Sequence, residues 1–329
     1  TVRQADVKSA FPDEINQFVW LPEAIILDQR VGRNHLLMSD HDKDIIYSID
    51  LATGKRSEFL KVNDDDCSNH LEGITLDAIN NKLYAYCDTT SKLLLEYNLI
   101  SGELQASYTL DAYTTVKGMA IDRNGGRNQL VLIANLSINM SNEEELSAVY
   151  RFDLDTKTFS TLSSNKNQLI PVVESRHIVV DGDRYLVTTG AESGDADTRK
   201  IISIDALTGA RSVVSSNAVG TGDLFGGTVP NGWIVVLMGL HVQPQIGRVL
   251  LNELGGKLFS IDLATGNRTL FKDLSYVKPN ADQYILNQDI VVDENTNVAY
   301  IDEQYRQSIL IIDLETQEKV ILSKSKNDF

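Results

Sequence analysis

Asp50-Leu-Ala-Thr-Gly-Lys-Arg returns five more times along the chain, as Asn98-Leu-Ile-Ser-Gly-Glu-Leu, Asp153-Leu-Asp-Thr-Lys-Thr-Phe, Asp205-Ala-Leu-Thr-Gly-Ala-Arg, Asp262-Leu-Ala-Thr-Gly-Asn-Arg and Asp313-Leu-Glu-Thr-Gln-Glu-Lys. The first positions are 48, 55, 52, 57 and 51 residues apart. A short apolar run precedes each copy, such as Ile45-Ile-Tyr-Ser-Ile, Leu258-Phe-Ser-Ile or Ile309-Leu-Ile-Ile. A second run follows most of them, such as Ser57-Glu-Phe-Leu or Thr269-Leu-Phe. The leading Asp can accept hydrogen bonds from backbone amides of the turn, and the Gly supplies a positive φ. Two β-rich runs around such a centre form a hairpin.

A second phrase stands ahead of the first. It reads Glu23-Ala-Ile-Ile-Leu-Asp, Glu72-Gly-Ile-Thr-Leu-Asp, Lys117-Gly-Met-Ala-Ile-Asp, Arg176-His-Ile-Val-Val-Asp and Gln288-Asp-Ile-Val-Val-Asp. Apolar residues closed by Asp and a turn describe a buried strand that enters another hairpin. In the fifth repeat Asn231-Gly-Trp-Ile-Val-Val is the expected counterpart, without the closing Asp. Between the two phrases lies a further strand, as in Leu83-Tyr-Ala-Tyr-Cys-Asp or Val298-Ala-Tyr-Ile-Asp. Four antiparallel strands repeated at about fifty residues are the pattern of propeller blades. The sequence therefore predicts an all-β fold, a six-bladed β-propeller of four-stranded antiparallel blades. Its blades are expected at 21–62, 70–111, 115–164, 174–216, 222–274 and 286–323, within one domain spanning 1–329. Residues 1–12 are expected to augment blade six, with Phe18 and Trp20 packed between blades one and six. The stretches 136–148 and 190–199 are expected as insertions on blade edges.

The chain has 329 residues, 42% hydrophobic and 23% charged, and a net charge of −16. That composition suits a globular protein. So acidic a surface repels phosphate backbones and anionic headgroups, which argues against nucleic-acid and membrane-surface roles. No stretch reaches ~20 consecutive apolar residues, so membrane insertion is not expected. The chain begins at Thr1, consistent with removal of a leader, and an extracellular or periplasmic location is expected. A monomer is expected.

The third-strand and turn phrases together resemble the YWTD repeat of lipoprotein-receptor propellers, in which an aromatic-rich strand ends in Asp about ten residues before a hairpin. The matching residues here are Asp40, Asp88, Asn252 and Asp302, although the Trp of the motif is absent from every copy. The first-strand phrase is similar to that of the SMP-30/gluconolactonase group of six-bladed propellers, at Pro22-Glu23-Ala24, Leu71-Glu72-Gly73 and Pro230-Asn231-Gly232. Both likenesses run the length of the chain. They imply either a secreted binding propeller or a hydrolase of lactones or esters.

The residues that open the first strands are expected to face one channel mouth. They are Glu23, Glu72, Lys117, Arg176, Asn231 and Gln288, all polar or charged ahead of apolar strands. They form the expected ligand site, for a small polar molecule or a protein partner. Resemblance to the lactonases implies a calcium ion there, with Glu23, Glu72, Asn231 and Asp289 as oxygen ligands. Calcium takes six to eight oxygens and no cation in its shell, so Lys117 and Arg176 depart from that set. They suit an anionic ligand instead, because Arg offers a two-pronged donor to carboxylate or phosphate. His70 and His177, each within two residues of a mouth position, are the candidate general bases. No GxSxG, HExxH, Walker or dinucleotide-binding pattern is present. Asn63-Asp-Asp-Asp and Gly220-Thr-Gly-Asp read as inter-blade loops. Sequons at Asn135, Asn139 and Asn267 carry little weight in a chain this rich in Asn, Ser and Thr.

Cys67 and Cys87 lie twenty residues apart. Pairing Leu76 with Leu83 across a hairpin sets Cys87 opposite Glu72, five residues beyond Cys67. At ~3.3 Å per residue an extended chain cannot bring the sulfurs together, so free thiols are expected.

Overall fold

A computed structural model of the chain describes residues 22–30, 32–63, 67, 70–89, 92–110, 114–136, 147–190, 198–226, 236–274, 288–304 and 307–324. Its strands form six four-stranded antiparallel sheets, each built from four consecutive strands in chain order. The fold class is a six-bladed β-propeller. The blades span 22–61, 71–109, 114–164, 178–216, 237–273 and 290–324. They divide between two compact units, one with blades one, two and six, the other with blades three, four and five. Among the described residues no helix is long and apolar enough to cross a membrane. The segments expected to close blade six, residues 1–20, lie outside the described residues. The fourth strand of that blade, Lys319–Lys324, comes from the C-terminal sequence.

Burial explains the apolar pattern. In five blades the second strand is buried at every residue but its first: His35–Asp40, Lys82–Cys87, Arg184–Thr189, Arg248–Glu253 and Val298–Glu303. A strand covered on both faces reads as a continuous apolar run and not as an alternation. Leu37, Ile46, Leu83 and Leu95 share one core between blades one and two. Leu36, Ile49, Tyr300 and Ile309 share another between blades one and six. In the second unit Val187 and Ile133 join blades three and four, and Leu186 and Leu251 join blades four and five. Outer strands such as Leu104–Thr109 are largely open to solvent.

The recurring turn works as its chemistry predicts. Asp50 Oδ1 accepts the amides of Ala52 and Thr53 and the Thr53 hydroxyl, at 3.0, 2.8 and 2.8 Å. Asp205 and Asp262 repeat all three bonds. These bonds stabilise the carboxylate and hold Asp205 and Asp262 below the ordinary Asp range. The turn also has a role that the repeat pattern did not reveal. It seats on the last strand of the preceding blade. A Cβ on Gly54 would stand 1.9 Å from the Leu322 carbonyl oxygen, on Gly209 2.2 Å from that of Leu162, and on Gly266 2.2 Å from that of Val214. Two residues on, an arginine, buried in blades one and five and partly buried in blade four, crosses the same gap. Arg56 Nε donates to Ser323 Oγ at 2.7 Å, Arg211 Nε to Ser163 Oγ at 2.9 Å, and an Arg268 terminal nitrogen to Ser215 Oγ at 3.0 Å. Burial lowers the Arg56 and Arg211 guanidinium pKa values to about 10.

The expectation of free thiols is wrong. Cys67 and Cys87 form a disulfide, fully buried, with Cα atoms 5.0 Å apart. Leu76 does pair with Leu83, but a bulge between Leu71 and Gly73 shifts the register, so that Leu71 faces Cys87. The chain ahead of the strand also turns back. The Cys67 amide donates to the Asn63 carbonyl at 3.1 Å, and the Asp88 amide to the His70 carbonyl at 2.9 Å. With their Cα atoms 5.0 Å apart, the extended-chain distance from Cys67 to Cys87 does not apply.

Candidate functional site

Five of the six expected mouth residues occupy one register position. Glu23, Glu72, Lys117, Arg176 and Gln288 each stand five residues before the last residue of a first strand, namely Asp28, Asp77, Asp122, Asp181 and Asp293. All five are partly buried. A bulge falls at this position in blades one, two and three, between Pro22 and Ile25, between Leu71 and Gly73, and opposite Ile133 and Ala134. A bulge re-aims a side chain out of the strand alternation. The sixth expected residue, Asn231, lies outside the described residues. The first strand of blade five is Leu237–Gln243, and the same count back from Gln243 reaches Met238, which is buried.

In blades one and two the position is acidic. Glu23 and Glu72 stand near His41, which leaves the second strand of blade one just after Asp40. His41 Nε2 lies 3.5 Å from Glu72 Oε1, and its Nδ1 lies 3.1 Å from Asp42 Oδ1. The Glu72 hydrogen bond outweighs burial and, with Asp42 and Glu23, raises the imidazole pKa to about 9. His70 packs edge-on against this ring, 5.7 Å between centroids, and is itself exposed. Next along the unit, Asp289 accepts the Ile25 amide at 3.0 Å, so a blade-six carboxylate holds the first strand of blade one. Asp302 Oδ1 accepts the amides of Gln288 and Asp289 at 3.1 and 2.6 Å. Its Oδ2 is buried without a hydrogen-bond partner. Burial above all, with Asp289 and Glu23 nearby, pushes the Asp302 carboxyl well above the carboxylate range.

These residues do not fit a calcium ion. Calcium needs several oxygens facing one point, and no cation among them. One Glu72 oxygen already faces the His41 imidazole, and Asp289 spends its oxygens on the amides of Ile25 and Ile290. Among the described residues no group of three or more His, Cys, Asp or Glu is arranged to hold a metal ion.

In blades three and four the position is basic, and a glycine lies where their strands approach. A Cβ on Gly118 would lie 3.0 Å from the Ile178 amide nitrogen and 3.1 Å from the His177 Cα. A side chain there would press on the neighbouring backbone, which glycine leaves room for. Lys117 and Arg176, one residue before each side of that contact, are thereby neighbours. His177 is a packing residue: its Nδ1 accepts the Leu240 amide at 3.4 Å, and its own amide donates to Thr188 Oγ1 at 3.2 Å.

Blade five holds a further acid, Glu253, 1% exposed and hydrogen-bonded to the Gly226 amide. Burial pushes its pKa up to about 7 from an ordinary 4.5. A raised carboxyl pKa contributes stability below about pH 4.5 that is lost as pH rises through 7. Glu253→Gln should escape that loss. Its stability relative to the native chain is expected to rise by about 3 kcal/mol between pH 4.5 and pH 8 in urea titrations. A difference that stays flat with pH would show an ordinary carboxylate.

No protein-family model matches the chain, and no curated protein matches it in sequence. Solved structures do match it in fold. A chain in the crystal structure of the nidogen/laminin complex superposes with TM-score 0.60 at 15% identity, covering 87% of this chain and 91% of that one. An auxiliary nutrient binding protein from Bacteroides thetaiotaomicron superposes with TM-score 0.60 at 13% identity, covering 88% and 68%. A gluconolactonase from Xanthomonas campestris superposes with TM-score 0.58 at 12% identity, covering 88% and 84%. At these identities the likeness is one of fold, and it spans binding proteins and an enzyme alike.

Proposed function

We propose that this chain is a binding module without turnover, which takes a small anionic ligand, a carboxylate or a phosphate ester, through Lys117 and Arg176. The observation that carries this reading is the Gly118–His177 backbone approach, which brings the strand positions of Lys117 and Arg176 near one another at matched register. An ammonium and a guanidinium on neighbouring strands suit an anion, and Arg can grip such an anion with two donors. The misfit of Glu72 and Asp289 to calcium weighs against the lactonase alternative. The buried disulfide supports an extracellular or periplasmic location, since such bridges persist in oxidising compartments.

Calorimetry with succinate, citrate, inorganic phosphate and a sugar phosphate tests the assignment. At least one probe is expected to bind, and Lys117→Ala and Arg176→Ala should each weaken it 10- to 100-fold, the worth of a charge-assisted hydrogen bond. Binding that both variants leave unchanged would remove the site. Calcium-dependent opening of a lactone, abolished by Glu23→Gln and Glu72→Gln, would replace the module with the hydrolase.

A further inference from the structure

We propose a second ligand site on blade four, a polar cleft that takes a neutral polyhydroxyl ligand, a saccharide. The cleft has a volume of about 570 Å³, within the range of small-molecule sites. The register of the sheet builds it. Asp181 pairs with Arg184, Arg184 with Asp205, and Ser203 with Ser212. Residues directly opposite one another, and residues two apart on one strand, share a face of the sheet. All five side chains therefore stand on the same face, and all five line the cleft. Other blades close this place. In blade one Ser48, at the strand position of Ser203, bonds the His35 ring at 3.0 Å, and in blade two Glu96 bonds Lys82. In blade five Arg248 lies against the Phe271 ring, 5.4 Å from its centroid. In blade four the corresponding Arg184 turns its Nε to Asp181 at 2.7 Å instead. Ser203, only 6% exposed, keeps a hydroxyl with no hydrogen bond to any described residue. A hydroxyl so deeply buried calls for a partner, and the cleft is where one can enter.

The polar atoms in the cleft define that partner. The Ser203 and Ser212 hydroxyls can donate and accept, and the Arg184 terminal nitrogens donate. Asp205 spends Oδ1 on its own turn, which leaves Oδ2 to accept. A donor is thus flanked by acceptors on both neighbouring strands. A saccharide hydroxyl fits this alternation, since it accepts from a guanidinium while donating to a carboxylate. An anion at Arg184 would face Asp181 and Asp205 on either side, and a metal ion or amine would face the guanidinium. Asp181 ends the strand that Arg176 precedes, so this site and the anion site lie at opposite ends of it and either can fail alone.

Calorimetry with maltose, cellobiose, sucrose and trehalose decides it, with glycine and putrescine as the zwitterionic and cationic comparisons. At least one disaccharide should bind the intact chain in the millimolar range or tighter. Ser203→Ala should weaken that binding about fivefold and Arg184→Gln about tenfold, the worth of a neutral and of a charge-assisted hydrogen bond. Ser212→Trp should abolish it by filling the cleft. Ser212 is exposed, so this variant stays readable even if the buried Ser203 substitution fails to fold. Failure of all four disaccharides to bind the intact chain would overturn the proposal. So would disaccharide binding that Ser212→Trp and Arg184→Gln leave unchanged, or glycine or putrescine binding more tightly than every disaccharide and lost in Ser212→Trp.

Discussion

Gly54→Ala should lower the free energy of unfolding by ~3 kcal/mol or more, whereas Gly102→Ala should cost only ~1 kcal/mol. Both glycines occupy the same turn position with nearly the same backbone, φ +70° and +74°. The conformational cost of a side chain there is therefore common to both. The difference lies in what the new methyl group meets. At Gly54 it meets the Leu322 carbonyl oxygen at 1.9 Å, a backbone atom of blade six that cannot rotate away. At Gly102 the nearest atom is Leu60 Cδ1 at 3.9 Å, an ordinary contact. Moving Leu322 would also disturb the Arg56–Ser323 hydrogen bond beside it. Urea denaturation of the two variants separates the effects. Equal losses would mean that the turn conformation alone matters and that the seat against blade six contributes nothing.

Opening the Cys67–Cys87 bridge should cost about 3 kcal/mol, the loop-closure entropy for a link of this span. The two residues are twenty apart in sequence and both fully buried. The double Cys67→Ala, Cys87→Ala variant should accordingly melt several degrees lower, and the intact chain should resist alkylation until it is both reduced and unfolded. The bridge also ties the segment before blade two to the end of its second strand, close to His70 and Glu72. Rapid labelling of two thiols in the native, unreduced chain would refute it and restore the extended-chain reading.

The blade plan was legible because it is written in local chemistry. Asp50, Asp205 and Asp262 cap their own turns within three residues, and second strands such as Lys82–Cys87 are apolar after their first residue because both faces are covered. Glu23, Glu72, Lys117, Arg176 and Gln288 were legible for the same reason, since each keeps a fixed distance from the Asp that closes its strand. Blade five broke that rule. Gln243 stands where the other blades have Asp, so the apolar run after Asn231 looked like the strand, and Met238 went unread.

What lay beyond the sequence is what depends on contacts between strands and blades. A one-residue bulge beside Glu72 moved Cys87 into reach of a chain that folds back, and no periodicity records a bulge. The meeting of His41 with Glu72, thirty-one residues further along, follows from the packing of blade one on blade two. The nearness of Lys117 to Arg176 follows from two backbones that touch across Gly118. The sequence by itself determined the repeat, its turns and the register position of the polar residues, because each is settled within a few neighbours along the chain. Tertiary structure decided which of those residues meet, because electrostatic partners are chosen by distance in space.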